Sequence, residues 1–313
     1  MRNTSASTMM FCAIAIALVA VIAALFTLCY RPAAANDEMV EIIATVPRAL
    51  PTTETPTVKV KTAPTAPISS ISASEPEDAK YLRLDCRQAE ARGGGLWSIA
   101  LRHNGLDYFY PSSEAAHTSQ RAASVIKLQV VACYLDSNRS PDMELCRRAI
   151  KQSDNEAANE LMDMVGIETV NRWCETRGYP NTLLVHRFNE CYDDGLDHGF
   201  NQTSATDQAR FLRDLWEGRI LSPKARDMLL DWMLRNERRT KIPRHLVGGG
   251  GYKVYNKTGE TWETPVQNDV AIVTSRDSGD VWYLAILSSS ALAPDTEVSA
   301  AIADLAKDLI GAF

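Results

Sequence analysis

Ser124 and Lys127 lie three residues apart near the start of Ala122 to Leu135, a stretch whose apolar residues recur at helical spacing. On a helix such residues share a face, so the Lys127 amine can reach the Ser124 hydroxyl. Serine is a weak nucleophile at its free pKa and needs an adjacent base. A lysine becomes that base when burial and a second cation lower its pKa. Backbone N–H groups at a helix start also suit a developing oxyanion. Alone the pair proves little, because so short a motif recurs by chance.

Ser153-Asp154-Asn155 follows at a junction between two helical stretches. Its plain reading is a capping turn, since all three residue types cap helices well. Its chemical reading makes Ser153 a proton relay to a leaving nitrogen and gives Asn155 a substrate carbonyl and Lys127 to hold. Lys257-Thr258-Gly259 closes a strand that begins near Tyr252. A cation and a hydroxyl on an edge strand suit a substrate carboxylate, and glycine allows close backbone approach. The competing reading is an edge lysine that discourages aggregation.

The three motifs occur in order, each in the structural setting its chemistry needs, and together they resemble class A β-lactamases and penicillin-binding proteins. Arg121 to Leu128 is similar to that family's nucleophile helix, and Ser153 to Leu161 to its second-motif helix. Asn201 to Asp207 resembles the stretch leaving the Ω loop, and Lys257 to Glu260 the substrate-binding strand. The resemblance covers about residues 78–313. It implies acylation of Ser124, with Lys127 as base and Ser153 as relay. It also implies an oxyanion hole from the backbone N–H groups of Ser124 and Glu260, with Asn155, Lys257, Thr258 and Gly259 placing substrate. The expected substrate is a β-lactam or a related cell-wall acyl-amide. A D,D-peptidase or esterase using the same serine, and a wall-binding module without turnover, are the alternatives. No metal or organic cofactor is implied, and no Cys or His spacing resembles a zinc site.

Two departures stand out. Ser124 to Ser153 spans 29 residues, shorter than in typical antibiotic-hydrolysing members, which predicts a trimmed helical subdomain and a more open roof. Class A enzymes also use an Ω-loop glutamate, followed by Leu-Asn, to activate the deacylating water. Here Val185 to Asp194 contains one glutamate, Glu190, with no such pair after it. Glu190 is the candidate base, against the reading of a solvated loop carboxylate; Asp193 and Asp194 are weaker candidates.

The elements that must position these residues alternate clearly. A helix over about 77–92 ends at Gly93-Gly94-Gly95. Leu96–His103 and Leu106–Tyr110 read as strands joined at Asn104-Gly105. Helical spacing recurs in Met143–Lys151, Glu156–Met164, Thr169–Arg177, Thr206–Glu217 and Ser222–Arg235. Thr182 to Gln202 has little periodicity and reads as a long functional loop. Strands Tyr252–Thr258, Asp269–Ser275 and Val281–Ser289 precede a closing helix, Asp295–Phe313. The pattern predicts an α+β fold: one antiparallel sheet from both chain ends, with an inserted helical subdomain.

Ahead of this domain, Met9 to Cys29 is almost wholly apolar, long enough for a membrane-crossing helix. That length favours an uncleaved signal anchor over residues 1–30; secretion after cleavage near Ala35 is the competing reading. Residues 31–77 hold seven of the 14 prolines and read as a stiff extracytoplasmic stalk. The net charge of −6, without a basic run, argues against a nucleic-acid partner. No feature specifies an oligomeric state. Seven cysteines occur, five of them beyond the apolar segment. Cys133–Cys146 and Cys174–Cys191 are the short-loop pairs, beside the reading that all are buried apolar residues.

Overall fold

Leu96–His103 (β1) and Leu106–Tyr110 (β2) form the expected hairpin. Asn104 and Gly105 both have positive φ, 49° and 81°, as a two-residue turn matching strand twist requires. The computed structural model describes residues 86–138, 140–189, 199–261 and 265–313, all within the compact unit Ser70–Phe313. The expected signal anchor, the expected stalk and the boundaries drawn at 30 and 77 lie outside the described residues. Among the described residues, no helix is long and apolar enough to cross a membrane.

Residues 86–93 are helical (α1) and lead into β1. Beyond the hairpin come Ser113–His117 (α2) and Gln120–Arg121 (β3). The inserted helices are Lys127–Ser137 (α3), Met143–Arg147 (α4), Asn155–Val165 (α5) and Ile167–Thr176 (α6). Gln202–Thr203 (β4) pairs with β3, and Ala205–Trp216 (α7), Pro223–Leu234 (α8) and Pro243–Leu246 (α9) follow. Tyr252–Thr261 (β5), Val266–Ser275 (β6), Val281–Ser289 (β7) and Asp295–Gly311 (α10) complete the chain.

The main sheet runs β2-β1-β7-β6-β5 with every pairing antiparallel, so the two chain ends meet between β1 and β7. Successive side chains on a strand point to opposite faces. Leu284 and Ile286 therefore join Ile99, Leu101 and Val273 under Val298, Ile302, Leu305 and Leu309 of α10. Ala285 and Leu287 join Val270 and Ile272 beneath the inserted helices. Both faces are covered, which explains why β6 and β7 read as continuous apolar runs.

Several expectations need correction. The helix expected from Ala122 begins instead as a 3₁₀ turn, Ala123–Ile126, because Ala123 has left-handed backbone with φ 47°. The stretch Met143–Lys151 is α4 followed by a π-helical turn, Arg148–Gln152, which ends at Ser153 with φ 60°. β5 continues to Thr261, so Lys257-Thr258-Gly259 lies inside the edge strand and does not close it. The short helices α2 and α9 had no periodic signal. Cys133 and Cys146 are free and buried, as is Cys174, so the 133–146 pair is not a disulfide. Burial raises the Cys133 and Cys146 thiols to about 11 and about 12, in keeping with small apolar core residues. Cys191 lies outside the described residues.

Candidate active site

The 3₁₀ turn carries Ser124, the candidate nucleophile. In a 3₁₀ turn residues i and i+3 eclipse, and here they are Ser124 and Lys127. The Lys127 backbone N–H closes the turn on the carbonyls of Ser124 and Val125. The turn is anchored from behind, where Ala122 N–H donates to Asn201 O at 2.8 Å. Asn268 of β6 also donates to the carbonyls of Arg121 and Ala122, at 2.9 and 3.1 Å.

The motif at 153–155 satisfies both of its readings through different residues. Asp154 is the cap: its carboxylate accepts from the N–H groups of Glu156 and Ala157 at 2.9 and 3.2 Å and pairs with Arg148. That fixes the turn and leaves the flanking side chains for the cleft. Lys127 Nζ donates to Ser153 O at 2.7 Å and to Asn155 Oδ1 at 2.5 Å.

β5 forms the opposite wall. A Cβ added to Gly259 would lie 2.8 Å from Ala122 O and 3.0 Å from Ser124 N, so the strand lies directly against the nucleophile turn. Lys257 Nζ donates to Ser153 Oγ at 2.8 Å and to Thr258 O at 2.7 Å. Thr258 is fully buried and its hydroxyl has no hydrogen-bond partner. The Glu260 side chain is engaged with Lys241 and Arg238.

Two fully buried lysines thus share one cleft. Burial first, then the Lys257 charge, lowers Lys127 to about 6. Burial lowers Lys257 to about 7, while the Glu260 carboxylate opposes the fall. A neutral amine carries two N–H bonds and one lone pair. Lys127 has two acceptors for those N–H bonds, which leaves its lone pair free. The cleft is also backbone-strained: Ala123, Ser153 and Asn189 have φ of 47°, 60° and 63°. Such positions cost about 1–3 kcal/mol each and cluster at functional sites.

The loop side holds residues that sequence reasoning missed. The Phe188 ring covers the Lys127 amine, 4.5 Å from centroid to Nζ. Asn159 of α5 clasps Phe188 at both backbone groups, N–H to Oδ1 at 2.8 Å and Nδ2 to O at 3.0 Å. Asn155 Nδ2 donates to Asn189 Oδ1 at 2.7 Å. The available signal was the four-residue spacing of Asn155 and Asn159, which puts both amides on one helix face. Glu190, Asp193 and Asp194 lie outside the described residues. His117 bonds locally to Ser113 O at 2.6 Å and packs near Phe109.

A five-stranded antiparallel sheet built from both chain ends, with helices inserted before its last strands, is the α+β fold of the class A β-lactamases. Solved structures agree. A β-lactamase from Chitinophaga pinensis superposes with TM-score 0.66 at 17% identity, covering 74% of this chain and 99% of its own. An ancestral class A β-lactamase gives TM-score 0.65 at 21% identity, covering 74% and 100%. The sequence profile described as the Beta-lactamase enzyme family matches residues 136–313, and the chain belongs to that family. The match begins beyond Ser124 and Lys127, so the arrangement of those two rests on geometry. A β-lactamase of Streptomyces cellulosae is 32% identical over 155 residues, covering 48% of each chain. One of Streptomyces lavendulae is 31% identical over 150 residues, covering 44% of this chain and 48% of its own. The chain thus spans about half the length of these relatives.

Proposed function

We propose that this protein is a serine hydrolase that is acylated at Ser124 by β-lactams or related acyl-amide compounds. The observation carrying the reading is the hydrogen-bonded set Lys127, Ser153, Asn155 and Lys257 behind the nucleophile turn. Neutral Lys127 takes the Ser124 proton as Oγ bonds to the carbonyl carbon. The N–H groups of Ser124 and Glu260 donate to the resulting oxyanion. Its collapse breaks the C–N bond and leaves the electron pair on nitrogen. Ser153 protonates that nitrogen and is reprotonated by Lys257, to which it is already bonded; the Ser124 proton stays on Lys127. Water then adds to the ester carbon; as the C–O bond to Ser124 breaks, Lys127 returns its proton to Oγ, and the proton lost by the water passes through solvent to recharge Lys257. A fluorescent penicillin tests this: covalent label on the intact protein, lost in Ser124→Ala, is expected. An unlabelled intact protein would leave the wall-binding module as the better account.

Phe188 favours a second reading of the last step. A general base must lie within one water of the ester, yet an aromatic ring covers Lys127 and an amide faces Asn155. Neither takes a proton from water. A slowly released acyl group, as in a penicillin-binding D,D-peptidase, is the outcome this favours over rapid turnover by Glu190.

The apolar run Met9 to Cys29 supports tethering of this domain to a membrane, with residues 31–77 as stalk and the cleft outside the cytoplasm. Membrane fractionation of the full chain, with and without residues 1–30, tests that placement.

A further inference from the structure

The motif Lys257-Thr258 would ordinarily offer a cation and a hydroxyl to a substrate anion, and two more cations, Lys241 and Arg238, stand beside this strand. Both are already occupied. Glu260 accepts from Lys241 Nζ at 2.5 Å and from Arg238 Nη1 at 3.1 Å. The Lys241 side chain is 1% exposed and that of Glu260 20%. The lysine is therefore sealed behind the carboxylate, while the carboxylate keeps a solvent-facing edge. Strand periodicity puts Thr258 and Glu260 on one face of β5, so the negative group shares the face of the unpaired Thr258 hydroxyl. Gly259, between them, turns the opposite face to the Ser124 turn. But β5 is the edge of the sheet, so the Glu260 carboxylate stands at the rim of the cleft, within electrostatic reach of both Lys127 and Lys257. The carboxylate belongs to the residue directly after the strand's contact with the nucleophile. Lys241 also lies near Asp269, a second buried carboxylate held by Asn256 and the Ile242 N–H. Two of the cations on that side, Lys241 and Arg238, are thus partnered from within.

We propose that Glu260 is a specificity-determining residue: it fills the cationic end of the cleft with the protein's own carboxylate and selects acyl-amides that carry no anion there. This inference rests on the reading of Ser124 as an acylated nucleophile. A substrate carboxylate entering beside Glu260 meets a like charge at short range, and its natural counter-ions are engaged. An uncharged group at the same place meets neither penalty. A like-charge contact of this kind costs enough to shift selectivity by at least about tenfold.

The test uses benzylpenicillin and its methyl ester, one anionic and one neutral at the same position. Acylation rates are read as the mass increase of the intact protein. Wild type should acylate with the ester at least about tenfold faster than with the free acid. Glu260→Gln should move the acid-to-ester ratio at least about tenfold toward the acid; a loss at the oxyanion hole slows both compounds alike and cancels in the ratio. Glu260→Gln/Lys241→Met should return the ratio toward wild type. A purely structural role for Glu260 would slow both compounds together and leave the ratio unmoved. Wild type that favours the acid, or an unmoved ratio in Glu260→Gln, overturns the proposal while leaving acylation at Ser124 intact. If the variant does not fold by circular dichroism, the wild-type ratio alone decides. No mass increase with either compound removes the hydrolase reading, and this inference goes with it.

Discussion

The Lys257 ammonium donates to the Ser153 hydroxyl across 2.8 Å, joining an edge strand to an interhelical turn 104 residues earlier in the chain. That bond uses a lone pair of Ser153 Oγ, which leaves the hydroxyl hydrogen for a leaving nitrogen. It also ties the two lysines into one proton circuit with opposite requirements. On the proposed mechanism Lys127 acts when neutral, so acylation should rise as pH passes about 6. Lys257 acts when charged, so acylation should fall as pH climbs beyond about 7. Acylation rates measured from roughly pH 5 to 9 should trace a narrow bell. A rate that keeps climbing across that range would remove charged Lys257 from the relay, and one that is flat from roughly pH 5 upward would remove Lys127 from the role of base.

Gly259 is required by contact, since any Cβ there meets the carbonyl of Ala122 and the N–H of Ser124. Gly259→Ala should push β5 off the nucleophile turn. We expect acylation to drop by about 100-fold and stability by ~1–3 kcal/mol. Mass-shift kinetics beside a denaturant melt measure both. Unchanged kinetics would mean that the strand need not touch the turn.

Phe188→Glu places a carboxylate where the ring now faces Lys127. The acyl group on the variant should be released at least about tenfold faster than on wild type. Its acylation optimum should move to higher pH, because a nearby anion raises the lysine pKa. Glu190→Gln should leave the release rate unchanged. Release that slows in Glu190→Gln would assign the water to that glutamate after all.

Asp154 caps α5 and pairs with Arg148, and the sum of these contacts overcomes burial and lowers its pKa below the ordinary 3.8. A carboxylate so depressed contributes stability above its unfolded pKa, which fades as pH falls through the folded one. Asp154→Ala should cost ~1–2 kcal/mol near neutral pH. Asp154→Asn keeps a capping oxygen and should cost under about 1 kcal/mol. Urea melts of the two variants separate the cap from the ion pair.

The parts of this molecule that follow a repeating pattern were legible from its residues. β1, β2 and β7 lie where alternation and the Asn104-Gly105 turn place them, and the apolar face of α10 is the one its spacing describes. Ser124, Lys127, Ser153 and Lys257 carried recognisable spacing within their motifs. Non-periodic contributions were not legible. Phe188 and Asn189 belong to a loop without a repeat, held by the amides of Asn159, Asn171 and Asn201, and nothing local shows which loop residue those amides select. Ala123 has an unfavourable backbone for its type, so propensity extended α3 through it. Glu260 looked like a donor of its N–H alone, because its ion pairs join residues far apart in the chain.

The sheet order has a consequence for the chain as it is made. β1 leaves its biosynthetic origin early but finds its central neighbour, β7, only near the end. A growing polypeptide therefore carries its future nucleophile well before the lysine-bearing strand that stations a proton donor opposite it. The proposed cleft is therefore complete only when the late strands slot beside the first hairpin.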